Sequence, residues 1–185
     1  MKRIVFFVAA IMLAGIFSSA SGQPKVNTKK ITITYTWSRI QSRGSNQLAV
    51  WIEDQKGNHI RTLFATHFTA TGGYKYRPVS LSEWASKFDL RNATNEQVDA
   101  VSGSTPQSGK QIVIWDGKDQ SGKNVADGKY IIRMEANIHN EDRMFFRAEV
   151  NVGGPDQQTK GEISFSKPEL AKGDLLFSDV MVKYN

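Results

Sequence analysis

The chain has 185 residues and no Cys, and its 24 Lys plus Arg against 18 Asp plus Glu give a formal charge of +6. The length suits one ordinary domain, and 39% hydrophobic residues, with 10 Phe, 5 Tyr and 4 Trp, are enough for a packed core. The lack of Cys excludes disulfide frameworks, thiolate metal sites, Cys nucleophiles and a lipoprotein anchor.

The first 22 residues have the pattern of a secretory signal peptide. Lys2 and Arg3 precede an apolar run over Ile4–Phe17, and small residues follow over Ser18–Gly22. A run of about 14 residues is shorter than the ~18 that a membrane-spanning helix needs, which favours cleavage over a retained anchor. We therefore predict that residues 1–22 are removed and that the protein is periplasmic or secreted.

Removal of this segment changes the charge of the protein. It takes away Lys2 and Arg3 and no acid, which lowers the formal charge from +6 to +4. The other Lys and Arg residues are scattered, and Lys29-Lys30 is the one adjacent basic pair that remains. A charge of this size serves solubility, so no nucleic-acid partner is predicted.

Short strand-like segments begin soon after the signal peptide. Ile31–Trp37 (ITITYTW) alternates Ile and aromatic residues with Thr, which predicts a half-buried antiparallel strand. Asn46–Asp54 is more continuously apolar, as expected of an interior strand. The turn residues at 55–58 predict that it forms a hairpin with His59–Ala65.

The strand pattern stops between Thr66 and Gly109. Within this stretch, LSEWASKF (81–88) places its apolar residues at helical spacing. We predict a long insertion over 66–109 that carries one short helix, with Ser80 or Ser82 as the N-cap. Connections of this length often carry function, so a site is expected here.

Strand patterns return after the insertion. Five segments combine alternation with β-branched and aromatic residues: Lys110–Gly117, Asp127–Ile138, Met144–Val152, Lys160–Ser166 and Leu175–Asn185. About eight short strands at this spacing predict an all-β protein, an antiparallel β-sandwich that residues 23–185 form as a single domain. Because strands do not alternate with helices, a doubly wound nucleotide-binding fold is excluded.

Turn chemistry dominates the segment Ile112–Ala136, which is predicted to be a hairpin with Trp115 at the end of its first strand. Asp116, Asp119 and Asp127 are potential oxygen ligands for Ca²⁺. Their spacing differs from that of an EF-hand, and Asp beside Gly more often serves turn geometry. No metal site is therefore predicted.

The spacing W-D-G-x-D-x-x-G-x-x-V-x-x-G-x-Y over Trp115–Tyr130 resembles the closing hairpin of immunoglobulin-like domains such as that of the flagellar hook-capping protein. With the motifs at Val50–Thr66, Tyr76–Trp84 and Val98–Gly117, the chain more specifically resembles the bacterial predicted-periplasmic family DUF2271 over about residues 31–138. The resemblance implies an extracytoplasmic, immunoglobulin-like sandwich and no known enzymatic activity. It also implies that the protein is found near components of flavin transfer and of membrane electron transfer.

The segment Asp99–Thr105 (DAVSGST) resembles the flavin-attachment motif D-x-x-(S/T)-G-A-T. In that motif a periplasmic flavin transferase links FMN through a phosphoester to the last Thr. The resemblance makes Thr105 the acceptor hydroxyl and implies that Asp99 orients or deprotonates it.

Three other positions of the motif are informative. Ser102 occupies the hydroxyl position, and Gly103 supplies backbone clearance. Ser104 departs from the pattern, which usually has Ala there. The alternative, and the favoured interpretation, is a polar loop that leads into the next strand.

Catalytic residues are not evident in the sequence, and we predict that the protein is not an enzyme. The three His residues lack metal-ligand spacing, and His59 and His139 are expected to face solvent. The acid pairs Glu53-Asp54 and Glu141-Asp142 consist of strand neighbours that point to opposite faces, so we expect them to begin or flank turns.

The aromatic residues have two interpretations. Trp37, Trp51 and Trp115 lie in alternating strands and are predicted to fill the sandwich core. Trp84 either caps an open end of the sandwich or presents its ring to a partner. The alternative for the whole set is a carbohydrate-binding face formed by the four Trp residues with Tyr74 and Tyr76.

Three functions follow from these observations. The first and favoured is a non-catalytic accessory or binding module of an envelope redox system, whose partner is an envelope or membrane protein. The second is a covalent FMN carrier that a flavin transferase modifies at Thr105. The third is a glycan- or solute-binding module. The sequence does not predict the oligomeric state.

Overall fold

Strands are present in each of the segments for which the sequence predicts one. A computed structural model describes residues 30–41 and 45–185, so the predicted signal peptide at 1–22 lies outside the described residues. These ranges hold ten strands: β1 (Ile31–Trp37), β2 (Gln47–Asp54), β3 (His59–Thr66), β4 (Ser102–Gly103), β5 (Gly109–Trp115), β6 (Gly128–His139), β7 (Asp142–Val152), β8 (Gln157–Thr159), β9 (Glu162–Phe165) and β10 (Phe177–Tyr184).

Helical segments lie mainly in the insertion between β3 and β4. They are a π-helical turn at Thr69–Gly73, α1 (Tyr74–Tyr76), α2 (Ser82–Lys87) and α3 (Asn95–Asp99), and a 3₁₀ turn at Pro168–Lys172 precedes β10. The predicted helix over 81–88 is confirmed as α2. The turns on either side of it are too short to produce an apolar periodicity in the sequence.

Two sheets pack face to face, which confirms the predicted all-β sandwich. One has the strand order β5-β1-β10-β8 and the other has the order β4-β3-β2-β6-β7-β9. The strand pairs are antiparallel apart from the parallel pair β3 and β4. The sequence did not predict the edge strands β4 and β8, which have two and three residues and are too short to show alternation.

Every second residue of the facing strands enters the core between the sheets. In β1 the Ile and aromatic residues are buried and the intervening Thr residues are half-buried on the outer face, as the alternation predicts. Trp37 and Trp115 are fully buried in this core, as predicted. Other core residues are Leu48, Val50, Ile52, Ile132, Met134, Phe146, Phe177 and Val182.

The insertion covers the outer face of the six-stranded sheet and forms a second apolar cluster there. This cluster comprises Ala49, Trp51, Ala65, Ala70, Leu81, Trp84, Phe88, Leu90, Val98 and Val101. Because β2 lies between the two clusters, it is buried on both faces, which explains its continuous apolar sequence. The prediction that Trp51 fills the sandwich core is wrong, since Val50 and Ile52 point into that core and Trp51 points the other way.

The segment Ile112–Ala136 crosses from one sheet to the other. β5 pairs with β1, whereas β6 pairs with β2 and β7. The predicted hairpin is therefore wrong, because its two strands belong to different sheets. The loop between them contains its own bridge between Lys118 and Asn124, and Trp115 meets Tyr130 edge to face at 5.3 Å across the crossover.

The start of α2 also differs from the prediction. Neither Ser80 nor Ser82 is the N-cap, because Leu81 precedes the helix with a φ of 51° and its side chain accepts no hydrogen bond. The carboxylate of Glu135 in β6 instead accepts from the backbone N–H of Trp84 at 2.9 Å. A side chain of the sheet thus caps the helix that covers it.

Candidate functional site

The segment Asp99–Thr105 lies at one edge of the six-stranded sheet. α3 ends at Asp99, which is exposed. Two residues later the backbone C=O of Val101 accepts from the N–H of Ala65 at 2.8 Å, and β4 continues this pairing parallel to β3. The motif is therefore bound to the sheet at its centre, while its first residue faces solvent.

Ser102 and Gly103 both contact residues of β3 or its end. Ser102 Oγ lies 3.4 Å from Nδ1 of His67. A Cβ atom at Gly103 would lie 2.7 Å from Cε2 of Phe64, so the absence of a side chain allows the ring and the edge strand to pack together. The space left by the missing side chain of Gly103 is occupied by the Phe64 ring of β3.

Thr105 follows β4 in a segment without regular structure. Thr105 is half-buried, and Ser104 and Gln107 are exposed. The end of the segment is held near β1, because Ser108 Oγ accepts a hydrogen bond from the N–H of Arg39 at 2.9 Å. The four predicted site residues therefore run from the end of α3 to the segment beyond β4, and within the described residues no hydrogen bond joins Asp99 to Thr105.

A groove of about 470 Å³ runs beside the first half of the motif. Its walls include Leu63, Ala100, Val101 and Ile114, so apolar groups from the motif, β3 and β5 meet there. Arg61 adds a cation, which pairs with a carboxylate of the crossover loop at 3.3 Å. That carboxylate belongs to Asp116, which also lines the groove, so the lining combines apolar groups with one ion pair and carries no net formal charge.

A layer of paired charges lies between α2 and the outer face of the six-stranded sheet. Glu135 of β6 is fully buried, and its carboxylate accepts from the N–H of Trp84 and, at 3.1 Å, from Nη1 of Arg143. On the same face Arg133 pairs with Glu83 of α2. The insertion is thus fixed to the sheet by ion pairs as well as by apolar contacts.

The sequence did not identify these charged residues as site residues. Arg133 and Glu135 occupy alternate positions of β6, a pattern typical of the solvent-facing side of a strand. The spacing alone could not reveal that an insertion covers this side.

Glu53 belongs to the same charged layer. It was expected to begin or flank a turn, but it is 5% exposed and accepts from the indole N–H of Trp51 at 2.9 Å. That expectation is wrong for Glu53 and confirmed for Asp54, whose carboxylate accepts from the backbone N–H groups of Lys56 and Asn58. Because Glu53 and Asp54 are strand neighbours, they lie on opposite faces and meet these different environments.

The buried environment alters the acidity of Glu135. Burial raises the pKa of its carboxyl group above the usual range, because desolvation disfavours the charged form. The hydrogen bonds from Trp84 and Arg143 act in the opposite direction and only partly offset burial.

A chain of hydrogen bonds joins His59 to α2. The indole N–H of Trp84 donates to Thr62 Oγ1 at 3.0 Å, and this hydroxyl lies 2.9 Å from His59 Nε2. Burial, with a smaller contribution from the charge of Lys87, lowers the pKa of His59 to about 4. The expectation that His59 faces solvent is therefore wrong, because its ring packs edge to face on Phe88 at 5.7 Å.

Trp84 is buried and cannot contribute its ring to a glycan-binding face. Its side chain is fully buried and stacks on Phe88 with ring centroids 5.4 Å apart. It covers the outer face of a sheet, so neither an open end of the sandwich nor a partner receives its ring. Tyr76, by contrast, is 84% exposed.

The Asp residues of the crossover loop serve its turn geometry. Asp119 Oδ1 accepts from the N–H groups of Ser121 and Lys123 and from the hydroxyl of Ser121. Within residues 30–41 and 45–185, no group of three His, Asp or Glu side chains is placed to hold a metal ion. None of the helices in these ranges has the length and apolar character of a membrane span.

Comparison with known proteins gives one match. The model of a family described as a predicted periplasmic protein, DUF2271, matches residues 28–167. No curated protein matches the chain, and no solved structure does. The finer likeness to the immunoglobulin-like domain of the flagellar hook-capping protein therefore stays a prediction.

Proposed function

Because the chain belongs to DUF2271, a family of predicted periplasmic proteins, we propose that it is a non-catalytic accessory module of an envelope redox system. In this role it presents the sheet edge at β4 to a protein partner. The family description supports a periplasmic location.

One observation carries this proposal. β4 is the last strand of its sheet, and within the described residues no strand pairs with its other side. The segment that follows has exposed residues at Ser104, Gln107 and Ser108. An open strand edge offers unpaired backbone groups on which a partner chain can add a strand. β9 ends the same sheet on its other side, and β4 is preferred to it because β4 lies within the motif Asp99–Thr105.

The buried charges support a scaffolding role. Glu135 and Arg143 bind α2 to the sheet, and Glu53 accepts from a tryptophan of β2. These ionisable groups stabilise the insertion against the sheet, which is a structural role. The fixed insertion in turn holds α3 and β4 at the sheet edge.

Site-specific photo-crosslinking in the native envelope tests the proposal. The chain offers a matched pair of positions, since Ser104 and Ser164 are both exposed and lie near opposite edges of the same sheet. We expect a photoreactive residue at position 104 to give an adduct with a flavin- or haem-containing envelope protein, and one at 164 to give none. Equal adducts at both positions, or none at 104, would contradict the proposal.

The second candidate function is covalent FMN carriage at Thr105. It is favoured by the placement of Thr105 just beyond an edge strand, partly accessible, in a stretch whose first residue, Asp99, is exposed. The groove lined by Ala100 and Val101 offers space beside the same motif. Thr105 itself does not line that groove. In the transfer, the Thr105 hydroxyl would give up its proton and attack the flavin-bearing phosphate of a flavin dinucleotide, whose pyrophosphate bond would break with the nucleoside monophosphate as leaving group. The bound FMN would supply electron transfer.

Peptide mass spectrometry after co-expression with a flavin transferase tests this candidate. We expect the peptide that contains Thr105 to gain about 440 Da, the mass of FMN less water. Thr105→Ala should abolish the gain, while Ser86→Ala, which removes another exposed hydroxyl of the insertion, should leave it unchanged. An unmodified Thr105 peptide would exclude FMN carriage.

A further inference from the structure

A cleft of about 740 Å³ separates the insertion from the turn between β6 and β7. One wall is the stretch 76–79 at the end of α1, and the other is the stretch 139–142. Ser45 and Lys167 complete the lining. None of the residues of the acceptor motif contributes to this cleft.

The wall on the insertion side carries two exposed apolar side chains. Tyr76 is 84% exposed, and Val79 beside it is 37% exposed. Within the described residues, the Tyr76 ring has no aromatic or cationic neighbour and its hydroxyl has no hydrogen-bond partner. A flat ring left open at the mouth of a cleft is a surface on which a ligand can stack.

The opposite wall is polar and held in place. The side-chain amide of Asn137 donates to the backbone C=O of Asn140 at 2.7 Å and to that of Asp142 at 3.3 Å. Lys167 pairs with the Asp142 carboxylate at 2.6 Å. These contacts orient the turn before any ligand arrives, which reduces the entropy lost on binding.

The charges around the cleft select the class of ligand. Arg77 and Lys167 oppose Glu141 and Asp142, so the formal charges cancel when His139 is neutral. A strongly charged ligand would therefore meet repulsion from one pair, whereas a neutral ligand with many hydroxyl groups finds both donors and acceptors.

We propose that this cleft binds a neutral saccharide, with one sugar ring stacked on Tyr76. The C–H face of a pyranose ring is apolar and carries slightly positive hydrogens, which complement the negative face of an aromatic ring. The hydroxyl groups of the sugar then bond to the turn at 139–142 and to Arg77. The site is separate from Thr105 and stands independently of the proposed partner and of FMN.

Calorimetric titration of the full chain with maltohexaose, cellohexaose and chitohexaose tests the proposal. We expect saturable binding of at least one of them, with a Kd below about 1 mM. Tyr76→Ala should weaken binding by about tenfold, the upper range of a stacking contact, and Tyr76→Phe should keep it within about threefold. Because Tyr76 is 84% exposed, neither change removes a buried contact.

Two controls separate this site from other effects. Ile112 is 60% exposed on the other sheet, so Ile112→Ala should not alter the affinity. Thr105→Ala should not alter it either, which distinguishes failure of the saccharide site from failure of the proposed function. The saccharide site is overturned if none of the three sugars binds saturably or if Tyr76→Ala binds like the unaltered protein.

Discussion

The carboxylate of Glu135 accepts a hydrogen bond from the backbone N–H of Trp84 at 2.9 Å, so a strand side chain caps the helix that lies across its sheet. The cap is buried, and Arg143 supplies its countercharge at 3.1 Å. The position of α2, and with it that of the rest of the insertion, depends on this contact between two segments that are far apart in sequence.

Removal of the countercharge should destabilise the protein. Arg143→Met leaves the carboxylate of Glu135 buried without its cation, a change that typically costs about 3–5 kcal/mol. We expect a loss near 3 kcal/mol, because Arg143 is 25% exposed and Glu135 can take up a proton. Urea denaturation at neutral pH measures this difference.

The pair Lys129–Glu149 is the matched control. It lies on the surface with side chains 53% and 41% exposed, and such pairs contribute about 0–1 kcal/mol. Lys129→Met should therefore have a small effect. Equal losses in the Arg143 and Lys129 variants would show that the buried pair does not fix α2.

Stability should fall in acid because of His59. Its pKa is lowered to about 4 in the folded state and is about 6.5 when unfolded. Between these values the unfolded chain binds a proton that the folded chain does not. The free energy of unfolding therefore has its full value above pH 6.5 and decreases as the pH falls from 6.5 through 4. The loss should be of the order of 2 kcal/mol.

The variant His59→Gln isolates this contribution. A Gln side chain keeps an acceptor for the Thr62 hydroxyl and does not titrate. The raised pKa of Glu135 acts in the opposite direction, because the folded state protonates this carboxyl group more readily than the unfolded state does. This contribution is the same in the unaltered protein and in the variant. Denaturation midpoints from pH 7.5 to 4 should therefore diverge, and parallel curves would contradict the prediction.

Trp84 and Tyr76 should differ sharply in their effect on stability. Trp84 is fully buried and stacked on Phe88, so Trp84→Ala should cost about 3–5 kcal/mol. Tyr76 is 84% exposed, and Tyr76→Ala should change stability by less than about 0.5 kcal/mol. Thermal unfolding measures both variants, and similar losses would contradict the assignment of Trp84 to packing and Tyr76 to the surface.

If FMN is attached at Thr105, the residue before it should influence the yield. Ser104→Ala restores the usual small apolar residue of the motif and removes a competing hydroxyl. We expect a larger flavinylated fraction by intact-mass spectrometry than in the unaltered protein. Gln107→Ala changes another exposed residue of the same segment and should leave the fraction unchanged. An equal rise in both variants would point to loop exposure and not to the motif.

Eight of the ten strands in residues 30–41 and 45–185, the inward face of β1 and the position of α2 could be predicted from local patterns in the sequence. These features depend on local periodicity, and Ile31–Trp37 shows how directly: its alternation gives both the strand and the buried side. The family match and the place of Asp99–Thr105 before β5 were likewise readable from motifs in chain order.

Which faces of the sheets are covered depends on the tertiary arrangement and could not be predicted from these patterns. Arg133 and Glu135 look like solvent-facing residues of a strand, and Trp51 looks like a core residue, until the insertion is laid on the outer face of the sheet. The sequence also could not show that the chain crosses from one sheet to the other after Trp115, because the turn residues there fit a hairpin equally well. Local patterns fix how a segment folds, but the pairing of strands and the burial of a face depend on contacts between residues far apart in the chain.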